Sequence, residues 1–287
     1  MRRSILPVLT VVGALFVLWY AAAIWLNAPW AQDRAARAGE TLSMQALVVD
    51  AWAQDKPKLP APHQVAIELW QTVAEKKITS KRSLVYHSWV TLSATLLGFV
   101  MGTVLGTLLA VGIVFNRTMD MSLMPWVIAS QTIPILAIAP MIIVVLNAVG
   151  VSGLLPKAMI SMYLSFFPVV VGMVKGLRSP DQMQLDQMRT WHASGAQTFW
   201  NLRLPASMPY FFTSLKIGMA ASLVGAIVGE LPTGAVAGLG ARLLAGSYYG
   251  QTIQIWSALI MAAALAAALV GTIGIIQRVT LKRMGMA

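Results

Sequence analysis

The chain has 287 residues, of which 57% are hydrophobic and 11% charged, against roughly a quarter charged in ordinary soluble domains. A soluble fold of this length needs a charged surface that this composition cannot supply, so the sequence indicates an integral membrane protein. The net charge of +11 is typical of loops that face anionic lipid. No basic run with interleaved aromatic residues indicates nucleic-acid binding, and the absence of cysteine excludes disulfides.

Long runs without charge predict transmembrane helices. As a helix, about 20 apolar residues cross a hydrocarbon core of roughly 30 Å, and the runs lack the period-two alternation of barrel strands. We therefore predict an all-α, polytopic membrane protein with about six spans. They lie near residues 5–26, 88–114, 122–147, 155–174, 207–230 and 252–276.

The first span opens the chain. Its two arginines and the alanines at 21–23 resemble a signal peptide, but the apolar stretch continues to Leu26, beyond an h-region of about 7–15 residues. The sequence favours an uncleaved N-terminal transmembrane helix over 1–27. An outer segment follows over 28–82, in which a proline-initiated helix over 59–76 is expected to lie along the membrane interface. Residues 83–287 are predicted to form the core domain.

Basic residues set the orientation of the spans. If the N-terminus is cytoplasmic, the two short outer loops hold only Lys157 and Arg242. The inner segments then hold Arg2, Arg3, Arg117, Lys175, Arg178, Arg189, Arg203, Arg278, Lys282 and Arg283. The positive-inside rule therefore predicts that both termini, and the loop between spans four and five, face the cytoplasm.

Motifs for catalysis are missing. The dipeptide Gly-Lys of a P-loop never occurs, so the chain cannot bind ATP in that way. Three scattered histidines and no cysteine argue against a metal site. Lys216 and Glu230 come nearest to the interior of a span, but they lie about 21 Å apart along a helix and cannot pair. We expect neither an enzyme nor a cofactor bound by this chain.

Two spans carry unusual residues. Gly98, Gly102 and Gly106 lie on one face of span two, which allows another helix to approach closely, either within the chain or across a subunit seam. In span three, Pro134 follows polar residues that include Gln131 and Thr132. Pro134 and Pro140 each remove a backbone donor, so the helix is expected to bend or open there. Irregular backbone at membrane depth lines either protein or water. The stretch therefore indicates a solute path or a structural kink.

A polar stretch, DQMRTWHASGAQTFWNLRLP, joins spans four and five over 186–205. Its spacing predicts a helix, a turn at Ala193, Ser194 and Gly195, and a second helix. An interfacial amphipathic segment is one interpretation. The other is a docking surface in which the tryptophans fill a pocket of a soluble partner.

This stretch resembles the EAA loop of binding-protein-dependent ABC transporter permeases. That pattern is roughly E-A-A-x-x-x-G, nine residues, an aliphatic residue, any residue, then Leu-Pro. Leu202, Leu204 and Pro205 match its end. Counting back puts Asp186 at the acidic position and His192 at the glycine, with Gln187 and Met188 in place of the two alanines.

The resemblance extends from about Leu59 to the C-terminus and is closest to the nitrate/sulfonate/taurine branch. LPAPHQV, TLSATLLGFVMGTVLGTLLAV, IPILAIAPMIIVVLNAVGVS and LPASMPYFFTSLKIG are similar to segments of that branch, in the same order. Glu230 matches an acidic residue that often ends span five, and the Gly-Leu-Gly at 238–240 matches the motif beyond it.

The resemblance implies the permease fold of a type I ABC importer in the bacterial inner membrane. Two copies would form the path, two ATPase subunits would bind ATP, and a periplasmic binding protein would deliver the solute to the periplasmic side, where residues 28–82 lie. Loop 176–206 would contain the coupling helix. Its contact residues would be Asp186, Met188, Arg189, Trp191, His192, Ala193, Ser194 and Gly195, and the path would include Gln131, Thr132, Pro134 and Glu230.

A secondary transporter driven by an ion gradient is the alternative function. It predicts ionisable residues near the midplane and inverted repeats. The sequence has few such ionisable residues and no visible repeat. Among importer substrates, a small anion would need a basic group in the path, and only Lys216 is available. The sequence therefore favours an uncharged or aromatic organic solute.

Overall fold

The computed structural model describes residues 2–39, 42–231 and 236–286, and within these ranges it is helical and contains no strand. Five helices are long and apolar enough to cross a membrane, or six spans if one bent pair counts as a span. The all-α fold and the span number are therefore confirmed. The chain forms two compact units, Met1–His87 with Ala241–Ala262, and Ser88–Gly240 with Ala263–Ala287.

The first unit is built on α1 (Arg2–Ala38). The sequence predicted that this helix ends with the apolar run near residue 26, but it continues to Ala38. The alanines, glutamine and arginines that follow the run favour helix, although the charged and polar residues among them end the hydrophobic stretch. At the end of the apolar run, buried Asn27 donates to the carbonyls of Ala51 and Leu59 at 3.0 and 2.9 Å. Its side-chain oxygen accepts the N–H of Lys58 at 2.9 Å. One amide thus ties the outer segment to the first helix.

Two short helices form the outer segment. The sequence did not predict α2 (Met44–Ala53). The predicted helix over 59–76 is found as α3 (Pro62–Trp70), which a π-helical turn extends to Glu75. The indole of Trp19 in α1 donates to the carbonyl of Pro60 at 2.9 Å, and this bond holds the start of α3 against α1.

The second unit contains α4 (Leu84–Phe115) from Ser88 onward, α7 (Leu154–Leu177) and α10 (Leu204–Gly229), which pack closely. A methyl group at Gly98 or Gly102 would collide with Ser161 or Ser165 of α7. These glycines therefore face a helix of their own chain, and so does Gly106, where a methyl group would lie 2.8 Å from the carbonyl oxygen of Phe166.

The third predicted span is broken rather than continuous. It consists of α5 (Arg117–Ala129), a 3-10 turn at Ser130–Thr132 and α6 (Ile135–Ala148), with a bend of 102° between the two helices. Pro134 lies at the break, as its missing N–H predicts. Pro140 lies inside α6 without interrupting it.

The remaining helices complete the chain. Gly150 and Gly153 adopt φ values of +81° and +79° in the predicted turn before α7. The loop between spans four and five holds α8 (Gln182–Thr190) and α9 (Gly195–Thr198). Beyond α10 come α11 (Leu239–Tyr248), which the sequence did not predict, and α12 (Thr252–Arg283).

Candidate functional site

The loop between spans four and five begins with a capped helix. Asp181 is the N-cap of α8 and forms a capping box with Gln184, whose side-chain oxygen accepts the N–H of Asp181 at 3.0 Å. Such a box satisfies donors that a helix start otherwise leaves free. The first helix of the predicted pair is thus stabilised by residues within its own first turn.

The turn after α8 depends on His192. Its φ of +51° is left-handed, a conformation that glycine adopts at little cost and other residues adopt rarely. The N–H of Ala193 donates to the carbonyl of Met188 and that of His192 to Arg189, both at 2.9 Å. These two bonds form a Schellman motif, which usually has glycine at the left-handed position. His192 therefore occupies a position where the backbone itself favours glycine.

The second helix starts one residue earlier than predicted. Gly195 is the first residue of α9 rather than part of the turn, and Ser194 is its N-cap. The hydroxyl of Ser194 accepts the N–H of Gln197 at 3.2 Å, and the side chain of Gln197 accepts the N–H of Ser194 at 2.8 Å. Serine is a preferred N-cap residue, so Ser194 was the signal in the sequence for the start of this helix.

Most of the predicted docking residues point away from the protein. Trp191 is 72% exposed, and His192, Ser194 and Gly195 are exposed as well. Met188 and Ala193 are half-buried. On the same loop, the carboxylate of Asp186 accepts a hydrogen bond from Arg189 at 2.9 Å in an exposed ion pair.

Arginines join the loop to the helices beside it. Arg178 forms an ion pair with Asp120 of α5 at 2.7 Å. Arg203 donates to the carbonyl of Leu177 at 2.9 Å and lies over the ring of Phe115 at 5.8 Å. Both arginines were predicted to lie on the cytoplasmic side, but their contacts were not predicted. The acidic residue Asp120 in the first turn of α5 was the signal in the sequence for the ion pair with Arg178.

The loop continues into span five without a break in helical structure. A π-helical segment, Phe199–Arg203, connects α9 to α10, so that one helical span runs from Gly195 to Gly229. Segments of π-helix inside longer helices occur frequently at functional sites. The loop and span five are therefore joined by continuous helical structure.

The predicted path residues fall into two environments. Gln131, Thr132 and Pro134 are exposed at the break of span three, where the hydroxyl of Tyr163 donates to the carbonyl of Ser130. Glu230 is instead fully buried. Glu230 therefore differs from the other three residues in that solvent does not reach it.

Glu230 is the first residue beyond α10 and lies in a buried hydrogen-bond network. The hydroxyl of Thr91 lies 3.0 Å from both carboxylate oxygens, and the N–H of Gly240 donates to one of them at 2.8 Å. Thr91 in turn accepts the N–H of Leu239 at 2.8 Å. At Gly238, with φ +124°, a methyl group would collide with the carboxylate. The Gly-Leu-Gly motif thus leaves room for the acid and donates to it.

Burial raises the pKa of Glu230 to about 7, although the hydrogen bond from Gly240, the charge of Lys157 and the hydroxyl of Thr91 oppose this shift. The ammonium of Lys157 itself donates to the carbonyl of Ala237 at 3.4 Å. No cluster of three or more His, Asp or Glu residues that could hold a metal ion occurs in the described part of the chain.

Comparison with known proteins identifies the family. The family model described as "Binding-protein-dependent transport system inner membrane component" matches residues 102–285. A "Probable ABC transporter permease protein" of Haemophilus influenzae is 30% identical over 67% of this chain and 76% of its own length. The "Riboflavin transport system permease protein RibX" of Chloroflexus aurantiacus is 32% identical over 78% of this chain and 80% of its own length.

A third relative, the "Formylaminopyrimidine transport permease protein ThiX" of Halalkalibacterium halodurans, is 32% identical over 63% of this chain and 68% of its own length. The family match covers more than half of the chain and includes the whole loop between spans four and five. The family that the sequence analysis predicted is thereby confirmed. The chain belongs to the inner membrane components of binding-protein-dependent ABC transport systems.

Proposed function

We propose that the chain is the permease subunit of an ABC importer, which forms the path for a small organic solute delivered by a periplasmic binding protein. A separate ATPase subunit supplies the energy. Family membership implies both partners. The observation that carries the proposal is the loop over 176–206, which is polar and exposed yet fully folded.

The loop has the properties of a docking element. Its two short helices are stabilised by their own capping residues, so its shape does not depend on a partner. Trp191 and Trp200 are 72% and 65% exposed, and exposed aromatic side chains on a rigid element are typical anchors in protein interfaces. We assign the ATPase contact to this surface, with Asp186, Arg189 and Ser194 as polar contacts around Trp191.

Coupling follows from how the loop is connected. Its end continues through the π-helical segment into α10, and Arg178 ties its start to Asp120 of α5. When two ATPase subunits close on ATP, a movement of the loop shifts both helices together. The path then alternates between two access states that ATP biases.

The bend in span three supports a path beside it. Gln131, Thr132 and Pro134 are exposed on irregular backbone, and such backbone at membrane depth requires protein or water as a neighbour. A second copy of the chain across a water-filled path satisfies this requirement. In this arrangement the chain acts as a homodimer with two ATPase subunits, with both termini on the cytoplasmic side.

The solute that the chain favours is an uncharged or aromatic organic molecule. Two relatives are named for transport of riboflavin and of formylaminopyrimidine, and both names denote heteroaromatic compounds. The exposed side chains at the bend are amide and hydroxyl groups rather than cations. They offer hydrogen bonds to polar ring substituents, whereas a small anion requires a basic group.

The test is gentle detergent extraction of the tagged chain, with co-purifying proteins identified by mass spectrometry. A P-loop ATPase should accompany wild type and Trp191→Phe but be lost with Trp191→Glu, because a carboxylate cannot enter an apolar pocket. Since Trp191 is mostly exposed, neither substitution should unfold the spans. A wild-type chain that purifies alone in several mild detergents contradicts the proposal and favours the secondary transporter.

A further inference from the structure

A group of cations lies between α10 and α12 in the second unit. Lys216 of α10, with Arg278 and Lys282 of α12, lines a cavity of about 450 Å³. Gln277, Leu281 and Met286 complete much of its wall. The transport proposal assigns no role to this cavity.

The side chain of Lys216 lies beside α12 at Gly274. A methyl group at Gly274 would lie 3.7 Å from Cε and 3.8 Å from Nζ of Lys216. Positions four residues apart share a face of an α-helix, so Gly274, Arg278 and Lys282 form one row along α12. The ammonium of Lys216 therefore lies at one end of a row of positive charge.

The three cations have no counter-ion among the residues that the structure describes. Within the described ranges, none of them forms an ion pair or a side-chain hydrogen bond. Neither α10 nor α12 contains an aspartate or glutamate. Like charges that share a cavity repel each other, and at the edge of a low-dielectric core this repulsion is only partly screened. An anion in the cavity would relieve it.

The surroundings indicate that this anion is lipid. The cavity lies where the apolar part of α12 gives way to basic residues, which is the depth of lipid headgroups. Ile217 and Ile275, next in sequence to lining residues, are 57% and 64% exposed. Exposed apolar side chains beside a cationic cavity suit acyl chains and a phosphate on the same molecule.

We propose that this cavity binds the phosphate of an anionic phospholipid in the leaflet at the C-terminal end of α12. Lys216 contacts it from one helix, and Arg278 and Lys282 contact it from the other. Basic pockets between transmembrane helices bind the headgroups of cardiolipin and related lipids. A lipid held in this way bridges α10 and α12. The proposal does not depend on what the protein transports.

The experiment uses the full chain purified in detergent, with any subunits that accompany it. Phosphatidylglycerol, cardiolipin, phosphatidylcholine or inorganic phosphate is added, and lipid adducts are counted by native mass spectrometry while the melting temperature is recorded. The test variant is K216Q/R278Q/K282Q. The matched control, K76Q/K77Q/K81Q, removes the same charge from exposed residues of the first unit.

Anionic lipid should raise the melting temperature of wild type and control, and phosphatidylcholine should not. The triple variant should bind anionic lipid about a hundredfold more weakly. This fold-change corresponds to a loss of about 1 kcal/mol of binding free energy for each of the three basic residues. Gly274→Leu, which fills the cavity but keeps the charges, should lose the adduct too and guards against a triple variant that fails to fold. Unchanged lipid adducts in Gly274→Leu, or equal stabilisation by inorganic phosphate alone, would overturn the proposal.

Discussion

The helix α10 has a polar structure at each end, and the two are built in opposite ways. At its N-terminal end, the exposed loop forms its hydrogen bonds between close neighbours, such as Ser194 and Gln197. At its C-terminal end, Glu230 is fully buried and bonds to Thr91, which is distant in sequence. Side chains of the exposed loop can therefore be substituted with little effect on the rest of the fold, because their hydrogen bonds are local. The buried network around Glu230 instead holds together segments that are distant in sequence.

The largest expected effect comes from removing the buried carboxylate. Glu230→Ala should lower the free energy of unfolding by about 3 kcal/mol, because it leaves the hydroxyl of Thr91 and the N–H of Gly240 without their acceptor in a buried site. Asp186→Ala, which removes an exposed carboxylate of α8 in the loop before α10, should change it by less than about 0.5 kcal/mol. Thermal or denaturant unfolding in detergent measures both, and equal effects would refute the comparison.

The second effect is a pH dependence of the free energy of unfolding, which arises from Glu230 at the buried C-terminal end of α10. Glu230 has a folded pKa of about 7 against an ordinary 4.5, so the folded state binds more protons between these values. Its contribution to stability is complete below pH 4.5 and is lost as the pH rises through 7. The free energy of unfolding should fall by about 1 kcal/mol per pH unit between pH 5 and 7.

The control for this prediction is Glu230→Gln, which has nearly the same shape and does not titrate. Its stability should be flatter than that of wild type over the same range, when both are measured by thermal unfolding at several pH values. A wild-type profile that rises with pH, or one that the substitution leaves unchanged, would exclude this role for Glu230.

The smallest effect lies in the exposed loop. His192→Gly should stabilise the turn by about 0.5–1 kcal/mol, since glycine adopts the left-handed φ of +51° without steric cost, partly offset by its greater freedom in the unfolded chain. Hydrogen exchange of the amide of Ala193, which donates within the turn, measures this local change. His192→Ala should not slow that exchange. Faster exchange in the glycine variant would contradict the steric argument.

The sequence predicted what depends on local chemistry. Composition and charge-free runs located the spans, Pro134 indicated the break in span three, and the loop pattern indicated the family. The turn was predicted at Ala193, Ser194 and Gly195, but the left-handed residue is His192, which stands at the glycine position of the pattern that the loop resembles. All of these features follow from a few neighbouring residues.

The sequence did not predict contacts between distant residues, nor helix ends that no change in hydropathy marks. The carboxylate of Glu230 and the hydroxyl of Thr91 meet only because α4 and α10 pack together, and no periodicity shows such a pair. The extension of α1 to Ala38 was missed because hydropathy marks where a helix leaves the membrane rather than where it ends. Pro140 was expected to disturb a helix that continues through it.

The break in span three also bears on how the protein enters the membrane during synthesis. The helix α5 has 13 residues and α6 has 14, so each is about 20 Å long at 1.5 Å per residue. Neither is long enough to cross a hydrocarbon core of about 30 Å by itself. During translation, the pair must therefore leave the insertion machinery together, and the hydroxyl of Tyr163 can bond to the carbonyl of Ser130 at the junction only after α7 has been synthesised.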